Sequence, residues 1–256
     1  MVLTQSDLIQ TIETLLFRAL PALEQRYYDG WVIRFADGYT GRANSINPIY
    51  GSDEDIYQKI NHCEMLYIEN HLPPMFKLTP IMQPADLESI LEQKGYHLRD
   101  DVVTHVMTAT LSDAPESSES SDNIEIQTRL KKEWLNTYIM MNKVNPRHHE
   151  TLGHILKLIT TPCGFALLRQ EQSIVAVALG VVDGDWMGIF DVVVAPDYRR
   201  KGFARTLMNG LLAWGKSQGA KHAYLQVVSS NTPAVKLYES LGFTLVYEYW
   251  YRVKDL

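Results

Sequence analysis

Residues 189–205, IFDVVVAPDYRRKGFAR, constrain the fold more than any other stretch of the chain. The apolar run Ile189 to Val194, broken only by Asp191, ends at Pro196, and a basic turn follows. After Gly202 the apolar residues Phe203, Leu207 and Leu211 recur every four positions. That pattern predicts a buried strand running into an amphipathic helix. Arg199, Arg200, Lys201 and Arg205 set four positive charges there against Asp197. The first-turn N–H groups of a helix attract anions, and glycine, lacking a Cβ, lets a ligand come close to the backbone. The turn therefore reads as a site for a phosphorylated cofactor, although charge alone is equally consistent with a solvated helix start. Its spacing is neither that of a Walker A loop nor that of a dinucleotide-binding turn.

The order of residues narrows this. Arg199-Arg200-Lys201-Gly202-Phe203-Ala204 resembles the R/Q-x-x-G-x-G/A signature of the GNAT acyltransferases. The block from Asn231 to Phe243, NTPAVKLYESLGF, resembles that superfamily's N-x-x-A-x-x-L-Y-x-x-x-G-F. The resemblance implies an α/β fold of α+β type: a mixed, mostly antiparallel sheet flanked by helices. It also implies an N-acetyltransferase that moves an acetyl group from acetyl-CoA to a primary amine of a small molecule or peptide. Transfer would be by direct attack in a ternary complex, with no metal. The implied cofactor-binding residues are Val192, Val193 and Val194 on the strand, Arg199 through Arg205 in the turn, Asn231 and Tyr238. Asn231, with Thr232 left to cap the helix, would bond the pantetheine arm or a water.

A lysine-like amine has a pKa near 10.4, so only about one in a thousand is neutral at pH 7, and a proton must be removed. The departing thiolate gains from a donor, and the resemblance gives that role to Tyr238. A core tyrosine packed near Leu237 and Leu241 is the plainer alternative. Asp191 is the one carboxylate within 189–194, where an ionised group must be paired, hydrated or shifted in pKa, which makes it a candidate base. A hydrogen-bonded structural aspartate is the alternative, and Asp185 and Glu171 are further candidates. His149 and His154 stand five apart, not the four of a helical zinc motif, so no metal site is expected there.

A formal charge of −6 over 256 residues argues against general nucleic-acid binding. Cys63 and Cys163, without any C-x-x-C, fit a reducing cytoplasm, and neither a signal peptide nor a membrane-length apolar run is read. The Ser- and acid-rich stretch 113–122 reads as a linker between a first half, 1–112, and a GNAT-like half, 123–256.

In the first half the sequence predicts a helix capped by Ser6, a hairpin Trp31–Phe35/Tyr39–Ile46 turning at Asp37-Gly38, and a helix opened by Ser52 and Asp55. A strand at 75–79, a helix at 86–94 and a strand at 101–111 follow. Ile90 to Leu98 lines up with Leu237 to Leu245 at a shift of 147 residues, which suggests a duplication. In the first copy Pro84 and Leu91 replace Asn231 and Tyr238, and nothing there matches the basic turn. The first half is therefore expected to be a degenerate GNAT-like domain kept for architecture or for the acceptor. Its segment Gly38–Ser45 resembles one found in some two-lobed GNAT proteins, so Trp31, Arg42 and Asn44 are candidate acceptor contacts. Rival readings are a non-catalytic acyl-CoA-binding regulator and a protein-lysine or N-terminal acetyltransferase. Oligomeric state, monomer or homodimer, stays open.

Overall fold

The computed structural model describes residues 4–51, 53–111 and 123–256. The expected linker 113–122 and the proposed cap Ser52 lie outside these residues. Two compact units form. The first comprises the chain up to His105 together with Val228–Ser230 and Val246–Leu256, and the second comprises Val106–Val227 and Asn231–Leu245. The first unit thus takes in the end of a strand expected to belong wholly to the second half, and the second takes in residues from before the linker.

In the first unit α1 (Gln5–Ala19) precedes β1 (Glu24–Tyr28), β2 (Trp31–Phe35) and β3 (Ile46–Asn47). Then come α2 (Ile56–Glu69), β4 (Met75–Leu78), α3 (Leu87–Gln93) and β5 (His97–Thr110). The cap of α1 is Thr4, not Ser6: its hydroxyl accepts from the Asp7 N–H, and the Asp7 carboxylate accepts in return. The hairpin is also displaced. Strand β2 pairs with β1 through the turn at Asp29-Gly30, whereas after Asp37-Gly38 the chain makes a short 3-10 turn and regains the sheet only at Ile46.

The strand order of this unit is β1-β2-β3-β4-β11-β5, where β11 spans Thr244–Val253. Register explains its core. Ile33 lies opposite Ile46, and Ile46 opposite Phe76, so these apolar residues share a face with Trp31, Phe35 and Leu78. That face buries Ile60, Cys63 and Tyr67 of α2 and Leu87 and Leu91 of α3. On the other face Lys77, opposite Tyr251, meets the buried Glu13 of α1 at 2.5 Å. Burial of this kind is tolerable only when both charges are bonded. Glu13 accepts from Tyr247 as well, at 2.6 Å.

The second unit contains β6 (Ile124–Gln127), α4 (Lys132–Met141), α5 (His149–Lys157), β7 (Cys163–Gln170) and β8 (Ser173–Asp183). It continues with β9 (Trp186–Val194), α6 (Phe203–Ser217), β10 (His222–Val228) and α7 (Thr232–Glu239). Its strand order is β5-β10-β9-β8-β7-β6, antiparallel from β9 to β6 and parallel between β9 and β10. Helix α6 lays Leu207, Met208, Leu211 and Leu212 on this sheet, and Tyr238, Leu241 and Phe243 pack beside them.

The same succession, three antiparallel-linked strands, a helix, a strand in parallel pairing, a helix and a strand, occurs twice along the chain, from β1 to β5 and from β7 to β11. The closest correspondence is at the ends of α3 and α7. Gly95 and Gly242 both adopt φ 86°, a left-handed conformation that closes a helix at little cost only for glycine. Tyr96 N–H bonds Leu91 O at 2.9 Å, and Phe243 N–H bonds Tyr238 O at 3.0 Å.

Candidate active site

Strand β9 carries a bulge. Val177 of β8 lies opposite Val193 and Leu179 opposite Phe190, so Ala178 faces the two residues Asp191 and Val192. Asp191 takes φ 55°, which re-aims its side chain, as bulged residues do. On its other edge β9 pairs with β10 only from Trp186/His222 to Ile189/Leu225. From Phe190 onward the two strands run unpaired with each other among the described residues. The half-buried residues Val192, Val193 and Val194 follow this point.

Beyond β9 the chain makes the basic turn. Arg200 at φ 59° and Gly202 at φ 87° are both left-handed. Gly202 occupies the N-cap of α6 and, having no side chain, leaves the first-turn N–H groups of Phe203, Ala204 and Arg205 without a side-chain cap. A Cβ built on Gly202 meets nothing within 4 Å, so the space beside the cap residue is open. The cations are less uniformly directed than the sequence suggested. Arg199 folds back and donates from Nε to Val194 O at 3.1 Å, while Lys201 lies 5.4 Å from the Tyr198 ring centroid. Arg205 turns away and donates to Ser240 Oγ at 2.6 Å. It helps to wall a groove of about 550 Å³ with Thr108, Asn209, His222 and Thr244, to which neither Gly202 nor Tyr238 contributes.

Tyr238 sits on α7, 8% exposed, edge-on to Phe243. Burial pushes its phenol up to about 12, so it keeps its proton, and can donate it, throughout the physiological range. Asn231 differs from expectation. It is itself the N-cap of α7, its side chain accepting from Ala234 N–H at 3.4 Å, and Thr232 is the first helical residue. The local reason is Pro233, which needs no N–H partner in the first turn. Asn231 keeps its amide N–H₂ as a donor group.

Asp191 is held from α4. Tyr138 donates its hydroxyl to Asp191 Oδ1 at 2.9 Å, and Asn142 Nδ2 donates to the Tyr138 oxygen at 2.9 Å. Nothing local in the sequence marks Tyr138; the only signal is a tyrosine on the apolar face of α4, one turn from Trp134 and Asn142. Glu171 lies in the turn between β7 and β8, and Asp185 is ion-paired with Lys221, so neither shares the bulge with Asp191.

Of the three acceptor contacts expected in the first unit, Trp31 and Asn44 are buried. Trp31 is fully buried, donates to Gln83 O at 3.0 Å and lies under the Lys59 ammonium at 4.2 Å, so it is core. Asn44 is also buried. Its oxygen accepts from the Ala36 and Gly38 N–H groups, and its amide donates to Ala36 O and Thr40 O, which uses the whole side chain to hold the turn. Arg42 is half-buried, and its charge bears on Tyr249, Tyr251 and Lys77. His149 bonds Val144 O, and among the described residues no three potential ligands gather for a metal.

Comparison with known proteins agrees with this layout. The family described as "Probable histone acetyltransferase Rv0428c C-terminal" matches residues 6–252. The chain is 29% identical over 253 residues to the "Uncharacterized N-acetyltransferase YobR" of Bacillus subtilis, covering 97% of this chain and 99% of that protein. A 76-residue stretch is 38% identical to the "[Ribosomal protein bS18]-alanine N-acetyltransferase" of Escherichia coli K12, covering 30% of this chain and 51% of the other. The fold is similar to that of a "GCN5-related N-acetyltransferase from Kribbella flavida", with a TM-score of 0.69 at 13% identity over 96% and 95% of the two chains.

Proposed function

We propose the reaction from one premise: the chain belongs to the Rv0428c C-terminal family of GNAT N-acetyltransferases. It is an acyltransferase of that type, which sets aside a purely regulatory acyl-CoA binder. The cosubstrate we propose is acetyl-CoA, bound by the second unit. The observation that carries this is the uncapped start of α6, with open space before Gly202. Free N–H groups at a helix start, with Arg200 and Lys201 beside them, suit the pyrophosphate of CoA. The unpaired stretch of β9 after Ile189 offers its backbone to the pantetheine arm.

The acceptor amine loses a proton to Asp191, and its nitrogen attacks the thioester carbonyl. As the tetrahedral intermediate collapses the C–S bond breaks, and the sulfur takes the proton of the Tyr238 hydroxyl. The nitrogen's second proton passes to solvent as the amide forms. The Tyr238 phenolate regains a proton from solvent and Asp191 gives its proton up, so that one proton is released overall. The protonated state of Tyr238 and the bonded position of Asp191 at the bulge support this division of roles. The acceptor is a primary amine of a small molecule or peptide. A protein N-terminus is the second reading, favoured by the relative named for an alanine of bS18. Thiol release from acetyl-CoA with amines and with N-terminal peptides separates the two. Arg42 stays among the proposed acceptor contacts, the two free cysteines support a cytoplasmic location, and the succession of elements that occurs twice along the chain supports a tandem origin.

Gly202→Val tests the cofactor site. It combines a left-handed φ with a bulky side chain in the open space beside the helix cap. Calorimetry should show CoA affinity lowered by at least about a hundredfold, roughly 3 kcal/mol. Parent affinity in this variant refutes the assignment.

A further inference from the structure

We infer that Tyr138 is a positioning residue, which fixes and keeps ionised the carboxylate of Asp191; the inference rests on Asp191 being the proton acceptor. Helix α4 buries Trp134, Tyr138 and Met141 on one face. Trp134 pins that face to the sheet by donating from Nε1 to Ala166 O at 3.1 Å and Ala178 O at 3.2 Å. Ala178 is the residue opposite the bulge, so the helix is anchored where β9 turns Asp191 out of the regular pleat. The Trp134 ring stacks on Tyr138 with centroids 5.4 Å apart and planes 12° from parallel, which sets the phenol's direction. Its hydroxyl then lies 2.9 Å from Asp191 Oδ1.

The direction of that hydrogen bond follows from chemistry. An ionised carboxylate only accepts, so the single phenolic proton goes to Asp191, and the Asn142 amide supplies a donor to the phenol oxygen. A hydrogen bond donated to the charged form lowers a carboxylate's pKa and limits its rotation. A base in a half-buried strand would otherwise drift toward its neutral form. Asn142, Tyr138 and Asp191 therefore act as a donor chain leading from an exposed helix residue to the bulge. Packing alone would place a phenylalanine at 138 equally well; the hydroxyl is the part that needs an explanation.

The titratable and charged groups on elements packed against β9 are Lys132 and Glu133 of α4, Asp183 of β8, Arg205 and Lys216 of α6, and His222 and Tyr224 of β10. All are common to the parent and to a Tyr138 variant, so a difference between those two proteins reports on the hydroxyl. The experiment is an NMR titration of the Asp191 carboxyl carbon in the full chain with CoA bound. Tyr138→Phe should raise its midpoint by about one pH unit. Asn142→Ala, at an exposed position where folding is not at risk, should raise it less but in the same direction. Unmoved midpoints in both variants overturn the inference. Parent rates of thiol release in Asp191→Asn would overturn the base assignment instead, and with it any catalytic part for Tyr138, whether or not the midpoint moves.

Discussion

Helices α2 and α6 occupy matching places in their units, each linking two strands that pair in parallel, yet they begin with opposite chemistry. The approach to α2 reads Asp53-Glu54-Asp55, and the approach to α6 reads Arg199-Arg200-Lys201-Gly202. In the first unit the Asp55 side chain accepts from Gln58 N–H at 3.0 Å. The Asp29 carboxylate, brought in by the β1–β2 turn, accepts from the Asp53 and Glu54 N–H groups at 3.2 and 3.1 Å. The buried Lys59 pairs with Asp29 at 3.0 Å. This helix start already holds its anions, supplied by the chain itself. In the second unit no side chain caps α6. The comparison teaches that a helix N-terminus becomes a ligand site when its own sequence leaves the cap vacant, and stops being one when carboxylates fill it.

The comparison can be broken most severely by cutting the chain. Residues 123–256 alone lack Val106–Leu111, of which Met107 and Leu111 lie in the second unit's core and Leu111 N–H bonds Lys221 O at 2.8 Å. The fragment would also carry Val246–Val253, which belong to the first unit's sheet, where Val253 lies opposite Met75. It should show no cooperative unfolding transition and no acetyl transfer. A folded, active fragment would mean that the second unit is complete without those residues.

A smaller effect compares α3 with α7, where Leu91 and Tyr238 hold matching positions and both pack in a core. Tyr238→Phe keeps the ring and should lower kcat about a hundredfold while leaving Tm and CoA affinity near parent values. The sign of the pH effect follows from the raised phenol. The donor form persists, so Tyr238 should cause no fall in kcat up to roughly pH 10. An alkaline decline below that pH that disappears in Tyr238→Phe counts against the donor role.

The smallest effect lies at the start of α2. Asp55→Ala removes a cap and should cost about 1 kcal/mol in chemical denaturation. CoA should still titrate at one per chain, because Asp29 continues to hold the residues just before the helix with its negative charge. A second equivalent of CoA in this variant would show that a single carboxylate had been excluding it.

Local chemistry made part of this legible in the sequence. The Gly202 turn, the α7 block and strands β2 and β11 are set by contiguous residues, and their limits fall where periodicity and glycine place them. Other features depend on residues far apart in the chain. Tyr138 and Asp191 are 53 positions apart, and no local pattern joins them. A β-strand such as β11 has the same alternation whichever sheet receives it, so its place beside β4 could not be read from its residues. Trp31 and Asn44 looked available because aromatic and polar side chains often mark binding surfaces. Burial under Lys59 and four backbone partners show why each is needed where it is.

The pairing of Leu78 with Trp250 also has a consequence in time. These partners stand 250 − 78 = 172 residues apart, and a ribosome adding about 5–20 residues per second needs roughly 10–30 s to cover that distance. During that interval β4 has β3 beside it but lacks β11, its neighbour on the other edge. The first unit, whose early strands are made before the second unit, is therefore completed only after it, and the nascent chain carries an open strand edge, a natural target for a holding chaperone, until β11 arrives.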